Sequence, residues 1–498
     1  MEVKLSKANI SYYYKALGIE FSREETAENI VPDTLPDVAE IVDADGMAIL
    51  RGKDFSEGRI SVSGMIFGYI IYRSEEGQLR RMPVQLPFSA HWDNASISQS
   101  CRSAVKLSIS SFEGRIINSR KLLLRAEVSI AADIYQAVSC EYTDGVEDSQ
   151  LELLNESITF SHVSAVGERT FTISEELQMP SSKPMIRNIM KYRVKLYCNE
   201  VKAVGSRIVV KGNAQLYVVY NGDNEEVCAA EFDIPFSQIY DTDCKGDITA
   251  SNAVLMMTGI YLDANEAADE PSAQIKIEIG VVAQFCAWSE SCVNCLCDAY
   301  STRSEISMSL CSMKIKESKI GESTENSISV LVGTPAQPKS IVDAYAYTGK
   351  PRIENGECCW PITARVLYES EDGNIRSATG GAEFKCGADI RANYSADIRE
   401  VAVKTVSGGI ELRVPVNCFA VNEEEIGFAT PEALSIDEDE KDIISQPSVV
   451  VLKADGNSTL WSIAKQFNTT IAAINEANPG IDAGIPEKGT LLLIAKKR

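Results

Sequence analysis

The sequence predicts a mainly β protein: three repeated antiparallel β-sandwich or barrel-like modules, then a small βααβ module. Three observations carry this reading. A β-rich stretch recurs in register at intervals of 148 positions. Its segments are rich in Val, Ile, Tyr and Phe with partial period-two alternation, which suits a pleated, half-buried surface. Helical spacing enters only after residue 448.

The first two copies align without a gap. "RISVSGMIFGYIIYRSEEGQ" from Arg59 matches "RIVVKGNAQLYVVYNGDNEE" from Arg207, pairing Ile60 with Ile208, Val62 with Val210, Gly64 with Gly212 and Tyr72 with Tyr220. The register continues through Pro87 and Pro235, Phe88 and Phe236, Ser89 and Ser237, Asp93 and Asp241. A third, diverged copy places Tyr368, Phe384 and Asp389 in line, with Trp360 where the others have Gly and Glu383 where they have Pro. "RSEEGQ", "NGDNEE" and "ESEDGN" fall at one equivalent place and predict hairpin turns. Glycine inside a strand pattern at 64 and 212 predicts a bulge or a close backbone approach. The repeated Tyr, Phe and Asp are read as core and turn residues.

Flanking runs repeat as well, such as "VGERTFTISEELQMPSSKP" and "IGESTENSISVLVGTPAQP". The resulting division is an N-terminal segment 1–20, β repeats at 21–147, 165–300 and 319–421, an acidic linker 422–447 and a last module 448–498. The linker "NEEEIGFATPEALSIDEDEKDIISQPS" has charge runs and prolines, and reads as a tether extended by like-charge repulsion.

Bulk properties narrow the function classes. A length of 498 residues suits three or four domains, and 45% hydrophobic residues suffice for a core in each. A formal charge of −23 argues against nucleic acid or an anionic membrane as main partner, since both demand basic surface. Lys4 and Lys7 precede no apolar run of signal-peptide length, and no stretch has bilayer-spanning length. A soluble, intracellular protein without membrane insertion is therefore expected. Many of the fourteen cysteines, such as Cys198, Cys228, Cys286 and Cys418, sit in strand-like apolar runs. They read as reduced, buried side chains in a reducing compartment.

Catalytic patterns are missing. His91 and His162 are the two histidines, and no His-Glu-x-x-His, Gly-x-Ser-x-Gly or phosphate-cradling glycine loop occurs. No enzyme activity and no cofactor are expected. The nearest approach to a metal site is "FCAWSESCVNCLCDAY", with Cys286, Cys292, Cys295 and Cys297. Zinc sites pair two knuckles across a longer insert, so structural thiols are the reading adopted.

In the last module, Leu460, Ile463, Ala464 and Phe467 stand at helical spacing, capped by Ser458 or Thr459. A second helix follows Thr469 or Thr470, and "GTLLLIA" returns as a strand. "TLWSIAKQFNTTIAAINEANPGI…PEKGTLLLI" resembles the LysM pattern, including Trp461 and Asn478. The usual Gly-Asp-Thr-Leu lead-in is altered to "KADGNSTLW", with Asn457 and Ser458 in the turn and the Asp absent or displaced to Asp455. The resemblance implies a groove for N-acetylated glycan between two loops. Its candidate residues are Asp455, Gly456, Asn457, Ser458, Thr459, Leu460, Pro479, Gly480, Ile481 and Asp482. The same loops serve equally as helix caps and turns, so protein docking stands beside glycan binding.

β repeats, an acidic tether and a terminal LysM-like module together resemble the spore-coat morphogenetic proteins of anaerobic spore-formers. That resemblance implies a non-catalytic scaffold in the mother-cell cytoplasm, at the forespore surface or spore coat. It implies docking of the spore-coat basal-layer ATPase or another coat protein. The alternative is a protein that binds peptidoglycan glycan of the cell wall or spore cortex.

Overall fold

A computed structural model describes residues 2–147, 150–224, 226–242, 244, 247–264, 270–321, 323–387, 392–441, 447–481 and 484–495. The architecture is mainly β with antiparallel pairing throughout the described strands. No described helix is long and apolar enough to cross a membrane.

Three successive stretches share one plan. The first holds β1 (Leu5–Ile30), β2 (Val38–Ser56), β3 (Arg59–Ser74), β4 (Leu79–Asp93), β5 (Arg102–Asn118) and β6 (Lys121–Val146). The second holds β7 (Leu151–Gln178), β8 (Ile186–Val204), β9 (Arg207–Gly222), β10 (Val227–Asp241), β11 (Ile248–Asp263) and β12 (Gln274–Ser301). The third holds β13 (Ser304–Ile320), β14 (Thr324–Gly333), β15 (Pro338–Thr348), β16 (Arg352–Glu354), β17 (Glu357–Ser370), β18 (Ile375–Gly387), β19 (Ala392–Ile398), β20 (Ala402–Val406) and β21 (Gly409–Glu440). Each begins and ends in a long two-stranded ribbon: β1 with β6, β7 with β12, and β13 then β14 with β21. Each ribbon encloses a meander, β2-β3-β4, β8-β9-β10 or β15-β17-β18.

Alternation decides which face is buried. In β3 the even positions Ile60, Val62, Ile66 and Ile70 are buried and share a core with Leu122, Leu124, Ala126 and Val128 of β6. Meander and ribbon thus pack as two layers. Each such aliphatic side chain, removed from water, stabilises the layer contact by roughly 1.5–3 kcal/mol. The second and third stretches repeat this with their own cores.

The expected turns form. Gly77 and Gly373 have φ of 84° and 76°, and their amides donate to Ser74 and Ser370 carbonyls at 2.9 and 2.8 Å. Tyr72, Tyr220 and Tyr368 are fully buried; the first two donate to Pro36 and Pro184 carbonyls at 2.9 and 3.0 Å. Asp93 and Asp241 accept from Arg59 and Arg207 at the ends of their hairpins. Asp389 lies outside the described residues.

Gly64 and Gly212 mark close approaches beside bulges. Gly212 pairs with Cys198 at a register shift in β8, and a Cβ on it would lie 2.1 Å from the Tyr197 carbonyl oxygen. Gly64 stands likewise opposite Leu50, with Ile49 O at 2.5 Å and the Phe88 ring at 2.3 Å. In the third copy β15 ends at Thr348, paired with Ile362, and β16 resumes opposite Cys359, so Trp360 pairs with Phe384 of β18 on one side and has no paired strand residue on the other. That leaves room for an indole.

Two boundary expectations need correction. Residues 1–20 are not a separate segment, because β1 runs unbroken from Leu5 to Ile30 against β6. The stretch 422–447 is not a free tether as far as Glu440: β21 continues through it, paired with β13. The acidic run is paired in part across the ribbon. Glu425 pairs with Lys314 at 2.9 Å, and Lys316 and Lys319 stand opposite Glu425 and Asn422. Residues 442–446 lie outside the described residues.

The three ribbons share a core. Tyr12 and Cys140 of the first, Phe160, Val293 and Cys295 of the second, and Ile315 and Phe428 of the third form one buried cluster. The last module adds β22 (Val449–Lys453), α1 (Leu460–Gln466), α2 (Ile471–Ala477) and β23 (Leu491–Ala495), with β22 and β23 antiparallel.

Candidate functional site

The C-terminal module closes around Leu460, Ile463, Ala464, Ile474, Leu492 and Ile494. Thr459 caps α1 by accepting from the Ser462 amide, and Thr470 caps α2 by accepting from Ala473, both at 3.1 Å. Asn478 joins α2 to β23 through three hydrogen bonds of 2.7 Å, to Ile474 O, Leu493 O and the Leu493 amide. Asp455 performs the turn expected of the displaced aspartate. Its carboxylate accepts from the amides of Asn457 and Ser458 at 2.8 Å and from the Ser458 hydroxyl at 2.9 Å. These bonds hold its pKa below the ordinary value. Gly456 adopts φ of +81° with its Cα side against Lys488, which a Cβ would strike at 2.8 Å.

At the end of the first predicted loop the Leu460 amide donates to Gly484 O at 3.2 Å. Asp455, Asn457, Thr459, Pro479 and Gly480 are exposed, Gly456, Ser458 and Ile481 half-buried. Leu460 is 2% exposed and belongs to the core, not to a binding surface. Asp482 lies outside the described residues.

Sequence reasoning missed how this module sits. It is seated on the end of β12. Trp461 Nε1 donates to Asp298 at 2.8 Å, and Lys465 Nζ lies 2.7 Å from the same carboxylate. The Tyr300 ring meets the Trp461 ring edge-on at 4.8 Å, and its hydroxyl donates to Thr469 O at 2.8 Å. Tyr300 is 2% exposed and part of the module's own core. A register shift between Leu296 and Asp298 re-aims the strand at this point, as β-bulges do. Lys441 adds a bond to Asn468 at 2.8 Å. Asp298→Ala is therefore expected to loosen the seat. Hydrogen–deuterium exchange across residues 460–467 should accelerate about tenfold, as losing a charge-assisted hydrogen bond implies; unchanged exchange would show that Tyr300 and Lys441 hold the module without Asp298.

The four cysteines considered for metal do not converge. All lie on β12, where Cys286 is buried beside Trp288, Cys292 is exposed, and Cys295 and Cys297 face each other at 3.9 Å. At about 3.3 Å per residue, the strand separates Cys286 from Cys297 by roughly 35 Å. Among the described residues no group of three or more His, Cys, Asp or Glu is placed to hold a metal ion. His162 packs against Tyr12 and Phe160, and burial lowers its pKa; His91 is exposed on β4.

A second site, also missed, lies where the three meanders meet. Each first meander strand carries a bulge at one equivalent place, at Val42, Met190 and Val342. These three pack with Ile71, Val219 and Leu367 in one cluster. The next residues are Asp43, Lys191 and Asp343, paired with Ile71, Val219 and Leu367 and exposed by 4%, 2% and 1%. Lys191 Nζ lies 3.3, 3.2 and 2.8 Å from Asp43, Asp45 and Asp343. Arg193 holds Asp343 at 2.9 Å, and Arg365 holds Asp43 at 2.9 Å. Tyr69 and Tyr345 both donate to Asp45. Three carboxylates thus meet three cations. Burial alone would lower the Lys191 pKa, but Asp343, Tyr69 and Asp43 outweigh it and raise it well above 10.5. Burial would raise Asp343, but Arg193 and Lys191 hold it far below its ordinary value. Asp45, Arg193, Asp343, Tyr345 and Arg365 also line a cavity of about 580 Å³.

Comparison with protein families fits this geometry. Residues 185–256, spanning β8 to β10 and part of β11, match the SipL, SPOCS domain. Residues 454–494 match the LysM domain. Both are non-catalytic domain types. Neither the curated proteins nor the solved structures gave a match. The chain carries a SipL-type SPOCS domain and a C-terminal LysM domain, a combination consistent with a SipL-like, LysM-containing protein.

Proposed function

We propose that this protein is a non-catalytic scaffold of spore-envelope assembly. Its LysM domain and β modules dock a coat morphogenetic partner, the coat's basal-layer ATPase or another coat protein. It acts in the mother-cell cytoplasm, at the forespore surface. The SPOCS and LysM matches support a sporulation-related role.

One observation carries the docking reading. The inner face of the LysM sheet supplies Val450, Leu452, Leu492 and Ile494 to the core. Its outer face leaves Val449, Val451, Leu491 and Leu493 exposed by 53%, 64%, 66% and 40%. Contiguous exposed apolar side chains rimmed by polar residues mark protein interaction surfaces. The seat on β12 holds this face at a fixed place beside the β modules, so contacts made by both add up as linked binding. The full-length double variant Val451→Asp, Leu493→Asp keeps the core intact and places charge on that face. Co-purification of the coat ATPase with full-length protein from sporulating cells is expected to fall more than tenfold in this variant; equal recovery would sink the docking reading.

Glycan binding is the second reading, favoured by the exposure of Asp455, Asn457, Thr459, Pro479 and Gly480 on the two loops. Sedimentation of full-length protein with purified peptidoglycan separates the readings. Sedimentation that survives the double variant but is lost on Asn457→Ala assigns the loops to glycan.

A further inference from the structure

Three core thiols converge in the third stretch. Cys358 of β17 pairs directly with Cys386 of β18, and Cys418 of β21 reaches the same point from the opposite layer. The Cys386 and Cys418 sulfurs stand 3.6 Å apart. Cys358 and Cys418 are 2% and 4% exposed, while Cys386 is half-buried. The same paired positions hold Val62 and Ala90 in the first copy and Val210 and Gln238 in the second. Side chains without sulfur therefore fill these paired positions elsewhere, and packing alone does not call for sulfur. All fourteen cysteines are free thiols in this structure.

We propose that Cys386 and Cys418 are a modification site: they close to an internal disulfide when the protein meets an oxidised low-molecular-weight disulfide. The half-buried Cys386 reacts first. Its thiolate attacks one sulfur of the small disulfide, whose S–S bond breaks and releases one thiolate. Cys418, losing its proton to solvent, then attacks the Cys386 sulfur of the mixed disulfide and expels the second small thiolate. The two released thiolates take up the two protons. Two protein thiols are oxidised to one disulfide, and the small disulfide is reduced to two thiols.

Geometry favours this pair. A disulfide bond is about 2.05 Å long, so the sulfurs need to approach by only about 1.5 Å. Cys295 and Cys297 also face each other at 3.9 Å, but they sit two residues apart on one strand with side chains projecting side by side. Closure ties the β18 layer to the β21 layer across 32 residues of chain, which restricts the unfolded state. Burial, with Cys386 beside it, pushes the Cys418 thiol up to about 12. The closing step is therefore slow at neutral pH and accelerates as pH rises.

The test uses reduced, full-length protein incubated with glutathione disulfide in native buffer, then alkylated and mapped by non-reducing peptide mass spectrometry. The expected result is a fall from fourteen to twelve free thiols and one linked pair, Cys386 with Cys418. It should form faster at pH 9 than at pH 7, and the oxidised protein should unfold at a higher urea concentration until reduced. Cys358→Ser is expected to keep the link, and Cys386→Ser and Cys418→Ser each to abolish it. The circular dichroism of each variant reports folding, so a wild-type protein that is folded yet unlinked overturns the proposal. A link from Cys386 to Cys358, a link between Cys295 and Cys297, or stable mixed disulfides without closure also overturns it.

Discussion

Lys191→Met is expected to lower the stability of the chain by about 3–5 kcal/mol, the range for removing one partner of a buried ion pair. The methionine fills the volume, but Asp43 and Asp343, exposed by 4% and 1%, lose the cation between them. Arg365 keeps its bond to Asp43, and Arg193 keeps its two-pronged hold on Asp343. Against a usual domain stability of about 5–15 kcal/mol, this is a large fraction. Urea unfolding followed by circular dichroism measures it, and the triple variant that also carries Asp43→Asn and Asp343→Asn should recover part of the loss. A variant as stable as the parent would show that the junction is not closed in solution. Acid provides an independent reading. Asp343 and Asp45 release protons more readily folded than unfolded, so their contribution is full above the ordinary carboxylate value of about 3.8 and is lost as pH falls below it. Lys191 binds its proton more tightly when folded, so its contribution persists up to about 10.5 and fades only at more alkaline pH. The urea midpoint of the parent should therefore fall more steeply below about pH 3.8 than that of the triple variant.

Gly212→Val is expected to cost about 3 kcal/mol or more, at the upper end for overpacking. Its Cβ would lie 2.1 Å from the Tyr197 carbonyl oxygen, a backbone atom held in the β8–β9 ladder, and 2.6 Å from the Phe236 ring. Phe236 can turn aside, but the carbonyl can move only by opening the bulge beside Cys198. The same change at Gly381, where the nearest heavy atom is Ile362 O at 3.7 Å, should cost far less. Thermal unfolding of both variants tests this, and equal losses would refute the close-approach explanation.

Much of the β architecture could be read from residues because it rests on local signals. Alternation in β3 and β9, the turn glycines at 77 and 373, and the glycines at 64 and 212 each have a short-range physical cause. The helix caps Thr459 and Thr470 were legible for the same reason. The long ribbons were not. Leu5–Ile30 and the segment after Asn422 gain their strand conformation from partners roughly 90 to 140 residues away, and the acidic run looked like a tether without sight of Lys314 and Lys316. The LysM loops were found from pattern, but the seat on Asp298 and Tyr300 depends on a bulge that leaves no sequence mark. The charged junction did leave one: Asp43 and Lys191 are 148 positions apart, with opposite charge inside apolar runs. That signal becomes meaningful only once three meanders are known to meet.

The junction also makes the three copies non-interchangeable. Equivalent positions hold Asp43, Lys191 and Asp343, and, two residues on, Asp45, Arg193 and Tyr345. Three identical first copies would bring six buried carboxylates to one point with no cation among them, and three second copies would bring six cations. Like charges at such a distance without solvent repel strongly. Self-assembly of an excised first or second repeat is thereby disfavoured, while the covalent trio is neutral because the first copy's Asp43 and Asp45 meet the second copy's Lys191 and Arg193, and the third supplies Asp343 and Arg365. The three copies share one shape, but the charges at these positions give the first and second copies an address that a duplicate of either cannot fill.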